Sequence, residues 1–174
     1  MSIREIVLFT ALLTAMVSPA FAERTILSSS GASFEPPKGF TELTQQEIVV
    51  KYPRKNPPKF VVGNERRTTT IAYDVRDIPL SDEELPKTLA SLEQQMQSAL
   101  PGLEWLDRKL VKMEGQRWIF LEMTSKAVDT SIHNIMLMTP HDGKMLIINF
   151  NSTIEEFPQL EKSLRKSIKS IKLK

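Results

Sequence analysis

The arrangement of apolar residues predicts strands that are covered on both faces. In the stretch WIFLEM (118–123), positions on both sides of an extended strand are apolar, and MLIINF (145–150) repeats this pattern. A sheet built from such strands must be covered by other elements on both faces. Helices are available for this role, because the chain also contains two stripes of apolar residues at helical spacing.

The turns between these strands are short, which makes neighbouring strands antiparallel. Glu114-Gly115 and Asp142-Gly143 are two-residue turns, and the Asp-Gly pair is a strong hairpin signal. Residues 125–131 fit either a loop or a longer strand. The pattern predicts strands at 59–62, 68–75, 103–113, 116–124, 132–139 and 145–151.

Three copies of the motif Ser/Thr-x-x-Glu predict helix starts, because the hydroxyl and the glutamate can each accept a free backbone N–H of the first turn. Pro53 ends the first helix early, and Pro86 predicts a separate first turn before the second. The third helix is expected from about Ile154 to the C-terminus. The motifs are Thr44–Glu47, Ser81–Glu84 and Thr153–Glu156.

These predictions combine into an α+β fold, a three-layer α/β/α sandwich with a central antiparallel sheet. The apolar stripes of the two longer helices argue against a β-sandwich without helices. A chain of this length suits a single domain, which we expect over residues 23–174.

Three phrases of the sequence are similar to those of a known fold family. They are FEPPKGF (34–40), GQRWIFLEMTS (115–125) and DGKMLIINFNST (142–153), the last of which runs into a final helix. With this order of elements the chain resembles the PsbP-like fold, whose bacterial members include the DcrB-like exported proteins. The resemblance implies a non-enzymatic accessory or binding protein, and it implies no catalytic residues.

Residues 1–22 have the pattern of a cleavable export signal. Arg4 precedes an apolar run (6–13), and Ala20-Phe21-Ala22 fits the small-x-small cleavage site. The run is shorter than the roughly 20 residues that span a bilayer. Cleavage after Ala22 predicts a periplasmic protein, and the absence of cysteine excludes a lipoprotein. An uncleaved anchor or a buried N-terminal helix is the alternative.

The composition excludes several classes of function. The chain has no cysteine, so disulfides, thiolate nucleophiles and thiolate metal sites are excluded. Its net charge of +2 is too small for a nucleic-acid-binding face. Because no nucleophile motif or phosphate-binding glycine loop is present, we expect no enzyme activity, and no catalytic, cofactor or metal site.

The two histidines lack the spacing of a zinc site. His133 shares a strand face with Ile135 and Leu137, and we expect a partly buried sheet residue. His141 adjoins the Asp142-Gly143 turn, and we expect a solvated side chain.

Two segments carry an excess of positive charge. For the lysines and Arg165 of the last helix we favour a structural role, since cations offset the negative end of a helix; binding of an acidic protein or of anionic lipid headgroups is the alternative. The other segment is the proline-stiffened loop region 51–67, which we predict to bind an acidic partner protein; a solvated connection is the alternative. Contact with an anionic membrane surface is a weaker expectation. The loop cations are Lys51, Arg54, Lys55, Lys59, Arg66 and Arg67.

The leading hypothesis is therefore a periplasmic accessory protein that docks on an envelope or secreted partner, through a sheet edge or the 51–67 loop. The alternative is a carrier of a small ligand or lipid, held between sheet and helix. Methionines such as Met136, Met138 and Met145 would then line an adaptable pocket. The sequence leaves the oligomeric state open.

Overall fold

The computed structural model describes residues 24–26, 32–53, 56–127 and 130–173. The predicted leader and two of the loop cations, Arg54 and Lys55, lie outside the described residues. The elements, in chain order, are β1 (Thr25–Ile26), β2 (Ser33–Phe34), β3 (Thr41–Glu42), α1 (Gln45–Lys51), β4 (Phe60–Gly63), β5 (Thr69–Pro79), α2 (Leu85–Ala99), β6 (Glu104–Met113), β7 (Gln116–Lys126), β8 (Ser131–His141), β9 (Lys144–Thr153) and α3 (Phe157–Lys169).

Seven of these strands form one antiparallel sheet, which confirms the predicted architecture. The strand order is β3-β4-β5-β9-β8-β7-β6, and β1 pairs separately with β2. Every pairing within the seven-stranded sheet is antiparallel. The β8–β9 turn has φ of 50° at Asp142 and 71° at Gly143, as a two-residue hairpin turn of this type requires.

Helices cover both faces of the sheet, as the two-sided apolar pattern predicts. On one face, α3 buries Leu164 and Ile168 against a core that includes Trp118 and Leu146. We call this side the α3 face. Phe34 also belongs to this core and meets the Tyr73 ring edge-on, with centroids 5.6 Å apart.

The opposite side, the α2 face, carries two clusters. Leu85 of α2 packs with Ile119 and Leu121, and Met138 and Met145 belong to this core. In the smaller cluster, Ile48 of α1 packs with Val61 and Ala72. Ala72 alternates with Ile71 and Tyr73 of the α3-face core, so α1 lies on the same side as α2.

The three helix starts differ in how completely the capping motif forms. At α1 the cap is complete: Thr44 Oγ1 accepts the Glu47 N–H at 3.2 Å, and a Glu47 carboxylate oxygen accepts the Thr44 N–H at 2.7 Å. A turn precedes α2, as Pro86 predicts. The predicted start of α3 at about Ile154 is early, because a turn at 154–156 also precedes this helix.

No helix in the described part of the chain has both the length and the apolar content needed to cross a bilayer. Its three helices instead bury their apolar sides on the sheet.

The packing of α3 predicts a graded cost of shortening its side chains. Leu164 is fully buried, so Leu164→Ala should lower the free energy of unfolding by about 2–5 kcal/mol. Leu160, one turn earlier, is only partly buried, so Leu160→Ala should cost clearly less. Urea denaturation of both variants measures the difference, and equal losses would contradict this packing.

Candidate interaction surface

The short helix α1 exposes two adjacent apolar side chains. Ile48 is fully buried and fixes the helix on the sheet, whereas Val49 and Val50 are 58% and 80% exposed. Valine has a lower helix propensity than most residues, so these side chains do little for the helix itself. Because the two side chains are adjacent rather than scattered, they are a candidate contact for a partner protein.

Two of the predicted loop cations connect α1 to the β4–β5 turn. The Arg67 guanidinium donates to Glu47 Oε1 at 3.0 Å, to Thr41 Oγ1 at 2.9 Å and to two carbonyls of the β4–β5 turn. Lys51 Nζ donates to the Arg67 carbonyl at 2.7 Å, and burial lowers the pKa of Lys51. Arg67, through Glu47, and Lys51 therefore fasten the first and the last turn of α1 to the β4–β5 turn.

The other two described cations lie apart from that pair. Gln45 Nε2 donates to the Lys59 carbonyl at 3.3 Å, which places Lys59 beside the first turn of α1. The Lys59 ammonium is largely exposed, 3.7 Å from a carboxylate oxygen of buried Asp74. Arg66 instead pairs with Glu156, just before α3.

The structure thus separates cations that the sequence grouped together. Lys51 and Lys59 lie at opposite ends of α1, on either side of the exposed valines, and Arg66 points to a different part of the molecule. We call the outer side of α1, defined by Val49, Val50, Lys51 and Lys59, the α1 surface.

The free edge of the sheet at β6 is the other predicted docking position. Its pairing with β7 shifts register between Trp105 and Asp107, so Leu106 lies in a bulge. Three cations follow on the same strand, Arg108, Lys109 and Lys112. Bulges and charged side chains on an edge strand oppose the addition of another strand. The α1 surface is therefore the better candidate for docking.

A cleft of about 510 Å³ lies at one end of the sheet. No helical residue lines it, and its walls are mostly charged, which does not suit a lipid tail. His141 is one of the lining residues. Its side chain is buried, only 6% exposed, so our expectation of a solvated turn residue is wrong. The reason is that β8 continues to His141, which pairs with Lys144 and leaves only two residues in the turn. The lining residues are Lys59, Val75, Asp77, His141, Asp142 and Lys144.

Two networks that sequence reasoning missed attach α3 to the sheet. In the first, Glu122 of β7 accepts two hydrogen bonds from Arg165 of α3, at 2.7 and 3.0 Å. The His133 Nε2 atom lies 2.7 Å from the same carboxylate, and its ring stacks on Phe157. His133 is therefore the partly buried sheet residue that we expected, but it also belongs to an ionic contact between helix and sheet.

In the second network, the carboxylate of Glu156 accepts from the β4–β5 turn. Its donors are Thr68 Oγ1 at 2.5 Å, Thr69 Oγ1 at 2.8 Å and Asn64 Nδ2 at 3.0 Å, together with Arg66. The capping motif assigned this carboxylate to the backbone of its own turn. The only sequence signal that Glu156 would instead bind the β4–β5 turn is the position of this charged residue next to the buried Phe157.

These contacts join elements rather than form a reactive centre. Arg165 takes both carboxylate oxygens of Glu122, and Phe157 covers the face of the His133 ring. In the described part of the chain, no group of three or more histidine, aspartate or glutamate side chains has an arrangement that would hold a metal ion.

The Glu122 contact predicts a specific dependence of stability on pH. Burial alone would favour the neutral carboxyl, but hydrogen bonds from His133 and Arg165 outweigh it and lower the pKa from 4.5 to about 2. The stability from this carboxylate is therefore complete above pH 4.5 and is lost as the pH falls towards 2. Between these limits the free energy of unfolding of the wild type should fall by about 3 kcal/mol more than that of Glu122→Gln.

Chemical denaturation at a series of pH values measures this difference. Glu93→Gln is the matched control, because the contact of Glu93 with Arg108 is long, at 3.6 Å, and both side chains are partly exposed. Between pH 4.5 and 2, the free energy of unfolding of Glu93→Gln should fall as steeply as that of the wild type. If the Glu122→Gln profile is equally steep, Glu122 does not fasten α3 in this way.

Comparison with known structures identifies the fold. The chain is similar to the cyanobacterial PsbP protein CyanoP from Synechocystis sp. PCC 6803, with a TM-score of 0.61 and 14% identity over 92% of this chain and 96% of that one. LpqN from Mycobacterium tuberculosis, described as involved in cell envelope biogenesis, has a TM-score of 0.57 and 12% identity over 87% and 89% of the two chains.

A eukaryotic protein has the same architecture. The Ran-binding protein Mog1p from Saccharomyces cerevisiae has a TM-score of 0.55 and 11% identity, over 87% of this chain and 94% of that one. At such low identity these likenesses describe the fold and not the function. They confirm that the resemblance to the PsbP-like fold extends through most of the chain.

No functionally curated protein sequence matches this chain significantly. The sequence model of the DcrB family, in contrast, matches residues 60–170, from the first residue of β4 to the end of α3. This match spans more than half of the chain and includes six of the seven strands of the main sheet. The chain therefore belongs to the DcrB family.

Proposed function

We propose that this protein is an exported, non-enzymatic accessory protein that docks on an acidic partner protein through the α1 surface. The observation that carries the proposal is the exposed pair Val49 and Val50 on a helix that is otherwise firmly anchored. Because the helix already buries Ile48 and has a complete cap, its outer valines are free to contribute to binding.

The charges around the valines favour an acidic partner. Lys59 is largely exposed at one end of α1, and Lys51 lies at the other. Arg54 and Lys55 belong to the loop between them in sequence. A partner with an apolar patch flanked by carboxylates would bury the valines and complement these charges, which is the usual arrangement of an interface core and its polar rim.

Export is supported by the sequence of residues 1–22. Two proteins of similar fold agree with an accessory role: LpqN is described by its involvement in cell envelope biogenesis and Mog1p by its binding of Ran. The alternative of a lipid carrier gains no support, because the charged lining of the described cleft does not suit an apolar ligand.

Substitution of one exposed valine tests the docking surface. Val50→Asp removes apolar contact area and places a negative charge opposite an acidic partner, so capture of the partner from envelope extract should fall tenfold or more. Leu106→Asp is the matched control, since Leu106 is also exposed but lies on the opposite edge strand. Quantitative pull-down with both variants measures the effect, and loss with Leu106→Asp alone would move the site to the β6 edge.

Charge reversal tests the electrostatic part separately. Arg54→Glu, Lys55→Glu and Lys59→Glu together should abolish capture, whereas Arg67 is kept because its contacts support the fold. The triple reversal Arg108→Glu, Lys109→Glu and Lys112→Glu on β6 changes the net charge equally and should leave capture intact. If both sets abolish capture, only net charge matters and the α1 surface is not the site.

Export has its own test. The mass of the protein recovered from the periplasmic fraction should correspond to Glu23–Lys174, because cleavage is expected after Ala22. A chain that retains Met1 would contradict the export signal.

A further inference from the structure

The outer side of α3 carries a row of lysines without counter-charges. Lys162, Lys166 and Lys169 are exposed, and none forms an ion pair with a described residue. At 100° and 1.5 Å per residue, the three lie within an arc of about 60° and a length of about 10 Å. We call these three residues the lysine row.

Of the carboxylates near α3, four are engaged elsewhere, and Glu155 lies exposed in the turn before the helix without an ion pair to a described residue. Glu161 and Glu122 pair with Arg165 on the flank of the helix. Glu114 pairs with Lys172 beyond its end, and Glu156 accepts from the β4–β5 turn. The positive charge of the lysine row is therefore not neutralised by the neighbouring carboxylates.

Covering the sheet does not by itself require such a row. The helix α2 covers the opposite face, and its only charged residues are the exposed Lys87 and the partly exposed Glu93, which pairs with Arg108. The helix dipole accounts for cations in the last turn of α3, where Lys166 and Lys169 lie. It does not account for Lys162, which lies one turn earlier.

We propose that the lysine row docks on the anionic headgroups of a lipid bilayer. No large apolar side chain within α3 is exposed, so contact there is electrostatic, unlike the α1 surface with its valines. Ammonium groups in a straight row match a plane of phosphates, and each lysine near such a surface strengthens binding by about fivefold. The inference rests on α3 alone and is independent of the proposed protein partner.

Co-sedimentation with vesicles tests the proposal on the purified chain. Vesicles that contain phosphatidylglycerol should bind the wild type, and purely phosphatidylcholine vesicles should not. The triple variant Lys162→Gln, Lys166→Gln and Lys169→Gln should lose roughly 100-fold in partitioning, from about fivefold per lysine. Raising the salt concentration above about 0.15 M should remove the difference in partitioning between the wild type and this variant. The Debye length, about 8 Å at 0.15 M, becomes shorter as salt is added, so the contacts between lysines and headgroups are screened more strongly. Any binding through the apolar segment 6–13 appears equally on neutral vesicles and is subtracted.

The matched control removes the same charge from the opposite side of the molecule. Lys87→Gln, Arg108→Gln and Lys112→Gln all lie on α2 or β6 and should leave partitioning within a fewfold of the wild type. Circular dichroism checks that each variant is folded. Equal losses in both triple variants would overturn the proposal, since net charge alone would then act. The proposal is also overturned if the wild type stays in the supernatant with anionic vesicles. The same holds if the lysine-row variant loses capture of the partner protein but still binds anionic vesicles like the wild type.

Discussion

A sheet that is apolar on both faces is the constraint on which the rest of this structure depends. Trp118 and Ile119 are neighbours in β7 and both fully buried, yet they belong to cores on opposite sides of the sheet. Neither face tolerates water, so each must be covered by a helix. This requirement fixes the inner side of every helix and leaves only the outer sides free to vary for function.

The outer sides of the three helices differ in chemistry. The helix α2 is nearly uncharged, α1 combines two exposed valines with flanking cations, and α3 carries the lysine row. Because α1 and α3 lie on opposite faces, a partner protein on one side would not compete with a surface on the other. The ionic contacts of Glu122 and Glu156 hold α3 in a defined position. Because burying two charges costs desolvation energy, such contacts specify the position of a helix more than they raise the net stability of the fold over that of an apolar contact.

Local patterns in the sequence were sufficient to predict most of the fold. Alternation in 118–123 assigned each side chain to its face, the Asp142-Gly143 pair located a hairpin, and Pro86 located the delayed start of α2. These signals are read within a few residues, where propensity and periodicity act. The observed start of α3 is later than the predicted one, because Glu156 bonds to a turn about ninety residues away in place of its own backbone.

The candidate site was less predictable, because it depends on which distant side chains meet. The loop cations share a segment of sequence, but Arg67 folds back on Glu47 and Arg66 reaches Glu156. The Glu122–Arg165 contact joins residues 43 positions apart, and no local pattern reports such a pairing. The sequence also does not predict that the two valines of α1 are exposed. Only the burial of Ile48 in the structure shows which side of the helix faces solvent.

Site-specific photo-cross-linking in intact cells is the measurement that tests the central claim most directly. A photoreactive amino acid in place of Val50 should form an adduct with one envelope or secreted protein, whereas the same group in place of Leu106 should form none. Adducts from Leu106 but not from Val50, or no protein adduct from either position, would contradict docking through α1.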